Sequence, residues 1–271
     1  MSWALIAGGS KGIGFSIAQA LAKRKYNLAL VARNPVDLQV AKNSLETDFN
    51  IKAETLVCDL SSSESSSLIY NWCSTKGLDI NILCNAAGMG GSKDFLELSA
   101  DDLRSMIRTN IESTVTLSLS LTPKLKENAP AYILNVGSLA GFSPIPSKNV
   151  YSSSKSAIHF FSYSLRQLLK PFNISVSCLC PGPVFTKPSI EKETVNQLGW
   201  AAKKMAVKVS DVGEQAVRGM LANRLLIVPG KFSLLISWLL RMLPNHLLSY
   251  SFYAFRKKDT SDPQLQNRPT T

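Results

Sequence analysis

The sequence is poor in cysteine and lacks any pairing pattern among the cysteines that it has. Its 271 residues contain five of them, an odd number, and most lie among apolar neighbours. Cys178 and Cys180 are two residues apart and would share one face of a strand, but no second pair follows that would complete a metal site. These features exclude a disulfide scaffold and predict buried free thiols in a reducing compartment, with no metal.

The sequence also lacks a targeting segment. Residues 1–9 have no charged region before their apolar stretch and lead directly into glycines, unlike a signal peptide. Near the other end, the apolar run within 230–244 is about a dozen residues long, whereas a spanning helix needs roughly twenty. We therefore expect a cytoplasmic protein without a transmembrane anchor.

The sequence also has few acidic residues. Thirty basic residues against nineteen acidic ones give a net charge of +11, and residues 200–258 alone contribute +8. Such a charge favours nucleic acid or an anionic membrane as a partner. The basic residues flank leucine-rich segments and no nucleic-acid reader motif is present, so the sequence predicts no nucleic-acid partner.

What the sequence does contain is an alternation of short apolar runs with amphipathic stretches of helical length. With 45% apolar and 18% charged residues, it supports a large core and excludes a wholly disordered chain. Apolar strands that are each followed by a helix predict a single doubly wound α/β domain of the Rossmann type at 1–230, with a parallel sheet of about seven strands. An apolar and basic extension at 231–258 and a disordered tail at 259–271 follow. The predicted strands are Trp3–Ala7, Asn27–Ala32, Lys52–Cys58, Ile80–Asn85, Ala131–Val136, Ile174–Cys180 and Leu225–Val228, and the predicted helices are 13–24, 35–48, 63–75, 100–127, 149–169 and 211–222.

The first predicted strand ends in a glycine-rich turn, Gly8-Gly9-Ser10-Lys11-Gly12-Ile13-Gly14, directly before a helix. Glycines permit a tight turn and let a pyrophosphate approach the amides at a helix N-terminus, where the helix dipole favours an anion. The glycine spacing differs from the common dinucleotide pattern, but the physical basis is the same. The turn therefore predicts a dinucleotide site.

Arg33 indicates which dinucleotide binds. It stands nineteen residues after Gly14, where NAD-binding folds carry an acidic residue for the ribose 2′-hydroxyl. A guanidinium there pairs with a 2′-phosphate, and Lys11 lies within reach of the same group. We therefore predict a preference for NADP(H) over NAD(H).

A candidate catalytic group lies near the start of the helix at 149–169. Tyr151 and Lys155 are four residues apart and share one helix face. A neighbouring ammonium favours the phenolate, so Lys155 is predicted to lower the pKa of Tyr151 and to make it a useful acid or base. Ser138 follows the fifth strand, at the sheet edge where such folds bind ligands, and its hydroxyl is placed to bond a substrate oxygen.

Together these motifs resemble the short-chain dehydrogenase/reductase family over roughly residues 3–230. The order and spacing of the motifs are highly specific. Ala7 and Ala86 depart from the family pattern, where Thr and a second Asn are common, which affects local hydrogen bonds only. The matching residues are the Gly8–Gly14 loop, Asp59-Leu60, Asn85-Ala86-Ala87-Gly88, Asn110, Ser138, Tyr151, Lys155 and Pro181-Gly182.

The resemblance implies a role for each matching residue. Ser138, Tyr151 and Lys155 would be catalytic, and Asn110 would complete a tetrad that holds a proton-relay water. Tyr151 would exchange a proton with the carbonyl or alcohol, while Lys155 would also bind the nicotinamide ribose. The other implied cofactor contacts are Asp59 and Leu60 at the adenine, Asn85, Ala86, Ala87 and Gly88 beside the cofactor, and Pro181, Gly182, Val184 and Thr186 at the nicotinamide.

The resulting prediction is an NADP(H)-dependent oxidoreductase that interconverts a carbonyl and an alcohol, with an apolar or lipid-like ketone as its substrate. A catalytically silent NADP(H)-binding regulatory or scaffold protein is the alternative, and the intact Ser138, Tyr151 and Lys155 set argues against it. The family resemblance implies a homo-oligomer, either a dimer or a tetramer.

The extension at 231–258 leaves two interpretations open. It would either pack over the substrate cleft or against another subunit, or lie in a membrane interface with Phe232, Trp238 and the leucines among the lipids. In the second case its basic cluster would contact anionic headgroups at the inner face of a membrane.

Overall fold

The computed structural model describes residues 2–90, 95–184 and 204–259, with side chains as far as Tyr253. Its centre is a parallel sheet of seven strands in the order β3-β2-β1-β4-β5-β6-β7. The reversal of strand order between β1 and β4 creates the crevice where ligands of such sheets bind. The strands are β1 (Trp3–Ala7), β2 (Asn27–Ala32), β3 (Ala53–Val57), β4 (Ile80–Asn85), β5 (Ala131–Val136), β6 (Ile174–Leu179) and β7 (Leu226–Ile227).

The helices that connect and follow these strands match the predicted positions closely. Local signals set several of their ends: the Asn34 side chain caps one helix, and Ser99 forms a capping box with Asp102 in another. The helices are α1 (Gly12–Ala22), α2 (Pro35–Phe49), α3 (Ser65–Thr75), α4 (Ala100–Ile107), α5 (Ser113–Glu127), α6 (Asn149–Leu169), α7 (Val209–Leu221), α8 (Lys231–Met242) and α9 (Asn245–Asp259).

Several predicted boundaries differ from the observed ones. The single helix expected over 100–127 is interrupted by a π-helical turn at Arg108–Glu112, which separates α4 from α5. The strand predicted over Lys52–Cys58 is one residue shorter at each end and covers Ala53–Val57. The strand predicted to end at Cys180 ends at Leu179. The two-residue β7 is shorter than the predicted Leu225–Val228. Asp259 belongs to α9 rather than to the predicted tail, and residues 260–271 lie outside the described residues.

Alternating side chains of the strands build two apolar layers, one on each face of the sheet. In β1, Ala4 and Ile6 join the layer formed with α1 and α7, whereas Leu5 joins the layer formed with α3 and α5. All three side chains are fully buried. A sheet covered on both faces needs strands that are apolar throughout, which is the pattern that the sequence displays.

The chain continues beyond β7 into α8 and α9. In α8 the fully buried side chains are Ser233 and Ser237, while large apolar side chains on the opposite face are exposed. Within the described residues, no helix combines the length and the apolar character that crossing a membrane requires.

Candidate active site

The glycine-rich turn between β1 and α1 is held tightly against the chain that follows β4. Gly8 and Gly12 have φ values of +85° and +57°, a region that side chains disfavour. A Cβ on Gly8 would lie 2.7 Å from the amide nitrogen of Ala87, and one on Gly14 would overlap the carbonyl oxygen of Gly8. Because only glycine fits there, the turn brings bare backbone to the carboxyl edge of the sheet.

The start of α1 has the properties of an anion site. Lys11, its N-cap residue, makes no side-chain capping hydrogen bond, and the first turn contains no acidic residue. The amides of Gly12, Ile13 and Gly14 therefore point out of the helix beside Ser10, with the positive end of the dipole behind them. A pyrophosphate fits this position on the chemistry of its donors.

Arg33 and Lys11, the two residues predicted to bind the 2′-phosphate, lie at the same edge of the sheet but have different partners. Arg33 is exposed after β2. The pKa of Asp59 is lowered chiefly by hydrogen bonds from Ser61, and the charge of Arg33 makes a smaller contribution in the same direction. Lys11 forms an ion pair with Asp37, with 2.8 Å between Nζ and Oδ2. No local pattern predicts this pair, which leaves Arg33 as the principal cation for a phosphate. Leu60, next to Asp59, is buried and packs in the core.

Asn85 is placed differently from the prediction. Its side chain points into the interior, where its amide donates to Asn135 Oδ1 at 2.8 Å and to Ser118 Oγ at 3.1 Å. Asn135 in turn donates to Ser162 Oγ at 3.0 Å, so a buried polar chain links β4 and β5 to α5 and α6. The Asn85 side chain therefore belongs to this buried chain, and Ala86 and Ala87 are the residues that face the glycine-rich turn.

Asn110 lies in the π-helical turn, a feature common at functional sites. Its Oδ1 accepts from the Met89 amide at 2.7 Å, and its Nδ2 donates to Met89 O and to Ser154 Oγ, both at 3.0 Å. Ser154 also donates to the Tyr151 carbonyl at 2.7 Å. The extra residue of the π turn thus aims Asn110 at the start of α6, and Ser154 is a site residue that the sequence analysis missed.

Lys155 reaches from α6 to the end of β5. Its Nζ donates to the Val136 carbonyl at 2.8 Å, and the residue is 4% exposed. This burial lowers the pKa of Lys155 to about 8. A Cβ on Gly88 would lie 3.2 Å from Lys155 Nζ and 3.5 Å from Asn110 Oδ1, so Gly88 leaves the ammonium open to a ligand in the crevice.

Tyr151 and Ser138 face each other across the crevice. Burial raises the pKa of Tyr151 above its usual value, and a hydrogen bond with Ser138 partly opposes that shift. The Lys155 Nζ atom lies 5.9 Å from the centre of the Tyr151 ring. The predicted lowering of the Tyr151 pKa by Lys155 is therefore not found in this structure, because removal from water outweighs the hydrogen bond with Ser138.

The segment after β6, where the nicotinamide contacts are predicted, lies beside the turn that follows Ser138. The Pro181 carbonyl accepts from the Leu139 amide at 3.1 Å, which ties the segment to the chain that follows Ser138. Val184 packs against the core, and a Cβ on Gly182 would lie 2.8 Å from Ser233 Oγ in α8. Thr186, the last predicted cofactor contact, lies outside the described residues.

Helix α8 packs beside this segment through its serine face. Ser233 donates to the Met205 carbonyl at 3.2 Å, and the Arg241 guanidinium lies 5.7 Å from the Phe142 ring centre. Phe142 belongs to the short helical turn Leu139–Phe142 that begins directly after Ser138. The C-terminal extension therefore contacts the same domain next to a candidate catalytic residue.

The assembled groups fit a nicotinamide dinucleotide and a carbonyl substrate. Bare backbone and helix amides would hold the pyrophosphate, Lys155 is open towards the ribose, and Tyr151 with Ser138 supplies two hydroxyl groups for one substrate oxygen. Such a site can move a proton at an oxygen while the cofactor exchanges a hydride with the attached carbon.

Comparison with known proteins agrees with this geometry. The family model for short chain dehydrogenases matches residues 2–197. The very-long-chain 3-oxoacyl-CoA reductase of Rattus norvegicus is 33% identical over 202 residues, which are 72% of this chain and 64% of that protein, so the chain spans less than two thirds of this relative. An alcohol dehydrogenase from Thermococcus sibiricus, solved with 5-hydroxy-NADP, is 26% identical with a TM-score of 0.73, over 86% of this chain and 97% of that one. A short-chain dehydrogenase from Sphingobium yanoikuyae, solved with NADPH, shares the fold with a TM-score of 0.76 at 24% identity, over 100% of this chain and 99% of that one. The chain belongs to the short-chain dehydrogenase family of oxidoreductases.

Proposed function

We propose that the protein is an NADPH-dependent carbonyl reductase that converts a lipid-like ketone into an alcohol. The observation that carries this proposal is the convergence of Ser138, Tyr151, Lys155 and Asn110 on one crevice beside the glycine-rich turn. A silent cofactor-binding scaffold has no physical need for all four groups, and burying Lys155 costs free energy that cofactor binding alone does not explain.

The residues divide the work of reduction between them. Because its pKa is raised, Tyr151 is protonated at neutral pH and donates its proton to the substrate oxygen as negative charge develops there. Ser138 donates a hydrogen bond to the same oxygen. Lys155, with a pKa of about 8, remains largely cationic at neutral pH and stabilises the tyrosinate that is left. Bound NADPH supplies the hydride.

The substrate class is proposed from the relatives. Relatives from several organisms carry the name very-long-chain 3-oxoacyl-CoA reductase. The segment after β6 and the serine face of α8, which pack beside the turn that follows Ser138, would border such a substrate.

The test is NADPH oxidation by the full chain with 3-oxoacyl-CoA thioesters of increasing length. We expect kcat/KM to rise by roughly fourfold for each added methylene that is buried, since one buried methylene is worth about 0.8 kcal/mol. Short-chain ketones of equal reactivity serve as controls. Absence of turnover with every thioester and every control ketone would contradict the proposal.

The cofactor preference rests on Arg33. Changing Arg33 to Asp removes a charge-assisted pair worth about 1.5–3 kcal/mol and adds a carboxylate that repels the 2′-phosphate. We expect NADPH binding to weaken by roughly 100-fold or more, while NADH binding stays the same or improves. Titration of cofactor fluorescence measures both constants.

Arg104→Asp is the matched control, because Arg104 is exposed on α4 and pairs with the neighbouring Asp101 at 2.9 Å. It makes the same charge change away from the dinucleotide edge. Equal binding of NADH and NADPH by the unchanged protein would show that the assignment to Arg33 is wrong.

We further propose that residues 231–258 form an extension of the catalytic domain at 1–230 that holds the protein on the cytoplasmic face of a membrane. Leu234, Leu235 and Trp238 of α8 are 52%, 53% and 54% exposed, whereas the helix face that touches the domain is built of serines. This arrangement is the reverse of an ordinary surface helix.

A homo-oligomer is proposed on a separate surface. Leu119 of α5 and Phe160 of α6 are 74% and 75% exposed on helices at the same face of the domain. Apolar side chains of this size on neighbouring helices favour a self-complementary interface. Sedimentation equilibrium that shows only monomers at micromolar concentration would contradict this.

A further inference from the structure

Three potential metal ligands meet behind the catalytic crevice. Cys178 and Cys180 project from the same face of the chain at β6, and His159 projects towards them from α6. The two Sγ atoms are 3.6 Å apart, and Cys180 Sγ is 3.0 Å from His159 Nε2. All three ligand atoms lie within 4.8 Å of one another. The sequence predicted no metal because no second cysteine pair follows, but the fold supplies a histidine instead.

The cluster is enclosed, and glycines make room for it. Both cysteines are 0% exposed and His159 is 4% exposed. A Cβ on Gly137 would lie 2.8 Å from His159 Nε2 and 3.0 Å from Cys178 Sγ, and one on Gly141 would lie 2.7 Å from His159 Cε1. The backbone on both sides of Ser138 therefore closes directly over the three ligand atoms.

A further contact orients the histidine ring. His159 also bonds the Ser138 backbone, the kind of second contact that orients a metal-bound histidine.

We propose that Cys178, Cys180 and His159 bind one Zn²⁺ ion. Tetrahedral zinc with Zn–S bonds of about 2.3 Å places two sulfurs roughly 3.7 Å apart, close to the separation of 3.6 Å between these two. A sulfur and an imidazole nitrogen on the same ion would be about 3.5 Å apart, so His159 would move back by about 0.5 Å from its present 3.0 Å contact with Cys180 Sγ. Two thiolates and an imidazole are soft ligands that favour Zn²⁺ over Ca²⁺ or Mg²⁺.

Charge balance makes such a site compatible with the neighbouring Lys155. When Zn²⁺ binds, each thiol loses one proton to solvent, so two thiolates and one dication add no net charge. The Lys155 ammonium is then not repelled. The ion would join β6 to α6 beneath the turn that begins at Ser138, a structural role that is independent of the proposed reductase activity.

The experiment uses the full chain, reduced and stripped of metal with a chelator, and titrates it with Co²⁺ as a spectroscopic probe. We expect visible bands of tetrahedral Co²⁺ and sulfur-to-metal charge-transfer bands that saturate at one ion for each chain, and their loss when Zn²⁺ is added. Cys178→Ser, Cys180→Ser and His159→Gln should each weaken binding by more than about 100-fold.

Cys84→Ser is the control, because Cys84 is equally buried but lies in β4 away from the cluster. It should bind Co²⁺ like the unchanged protein. X-ray absorption of the zinc-loaded, unchanged protein gives a second reading that needs no variant, and it should show two sulfur ligands and one imidazole. Absent bands at excess Co²⁺, or bands that survive all three ligand variants, would overturn the proposal, and NADPH turnover measured in parallel would be unaffected by that failure.

Discussion

Changing Tyr151 to Phe is expected to lower the rate of carbonyl reduction by about 10²–10⁴-fold, the range that general acid catalysis contributes. The substitution removes only the hydroxyl that donates the proton, and Ser138 cannot replace it because the Ser138 hydroxyl is needed for the substrate oxygen. Lys155 keeps its hydrogen bond to Val136, so NADPH should bind as before. Stopped-flow NADPH oxidation and a separate binding titration measure the two effects.

Tyr163→Phe provides the matched control. Tyr163 lies three turns further along α6, is partly buried, and also has a pKa raised by burial. Its hydroxyl bonds Arg241 of α8 and is not one of the groups assigned to the substrate oxygen, so its loss should leave the rate within about twofold. If both tyrosine variants kept full turnover, Tyr151 would not be the acid, and if both lost NADPH binding, the effect would be on folding.

Most of the fold could be predicted because it depends on local patterns. Apolar runs of five or six residues between amphipathic stretches define strands such as β1, β2 and β4 to the residue. The π-helical turn at Arg108–Glu112 could not be predicted in this way, since its cause lies in the hydrogen bonds that Asn110 makes with Met89 and Ser154, which are distant along the chain.

The candidate site was predictable in its members but not in its electrostatics. Spacing alone placed Tyr151 and Lys155 on one helix face, whereas their pKa values depend on burial that no local pattern reports. The pair between Lys11 and Asp37 joins two separate helix starts, and the inward turn of Asn85 depends on a polar residue in β5. Each of these contacts requires knowledge of which strands are neighbours.

Exposed apolar residues of α8 should carry membrane binding, the second large effect that we expect. Leu235→Glu combined with Trp238→Glu removes two side chains whose burial in an interface is worth about 1.5–3 kcal/mol each. Because both residues are more than half exposed, the fold should tolerate the change. We expect the double variant to bind anionic vesicles at least about 100-fold more weakly in a cosedimentation assay.

The positive charge of the extension leads to a second expected result for vesicle binding. Residues 231–258 contain the five cations Lys231, Arg241, Arg256, Lys257 and Lys258, and no acidic residue. Each cation near an anionic surface contributes roughly 1 kcal/mol, so the unchanged protein should bind anionic vesicles in a salt-sensitive manner and neutral vesicles weakly. A second copy of the chain would bring an equally cationic surface and be repelled, which favours lipid over self-association at this face.

Val40→Glu is the control for the vesicle assay, since Val40 is an apolar residue of α2 that is 65% exposed, on another part of the domain. It should leave vesicle binding unchanged. Truncation after Gly230 distinguishes membrane binding from the remaining interpretation. In that interpretation the extension only packs beside the crevice, through Ser233 and Arg241. In that case truncation would lower activity or change the oligomeric state, and neither the unchanged protein nor the double variant would sediment with anionic vesicles.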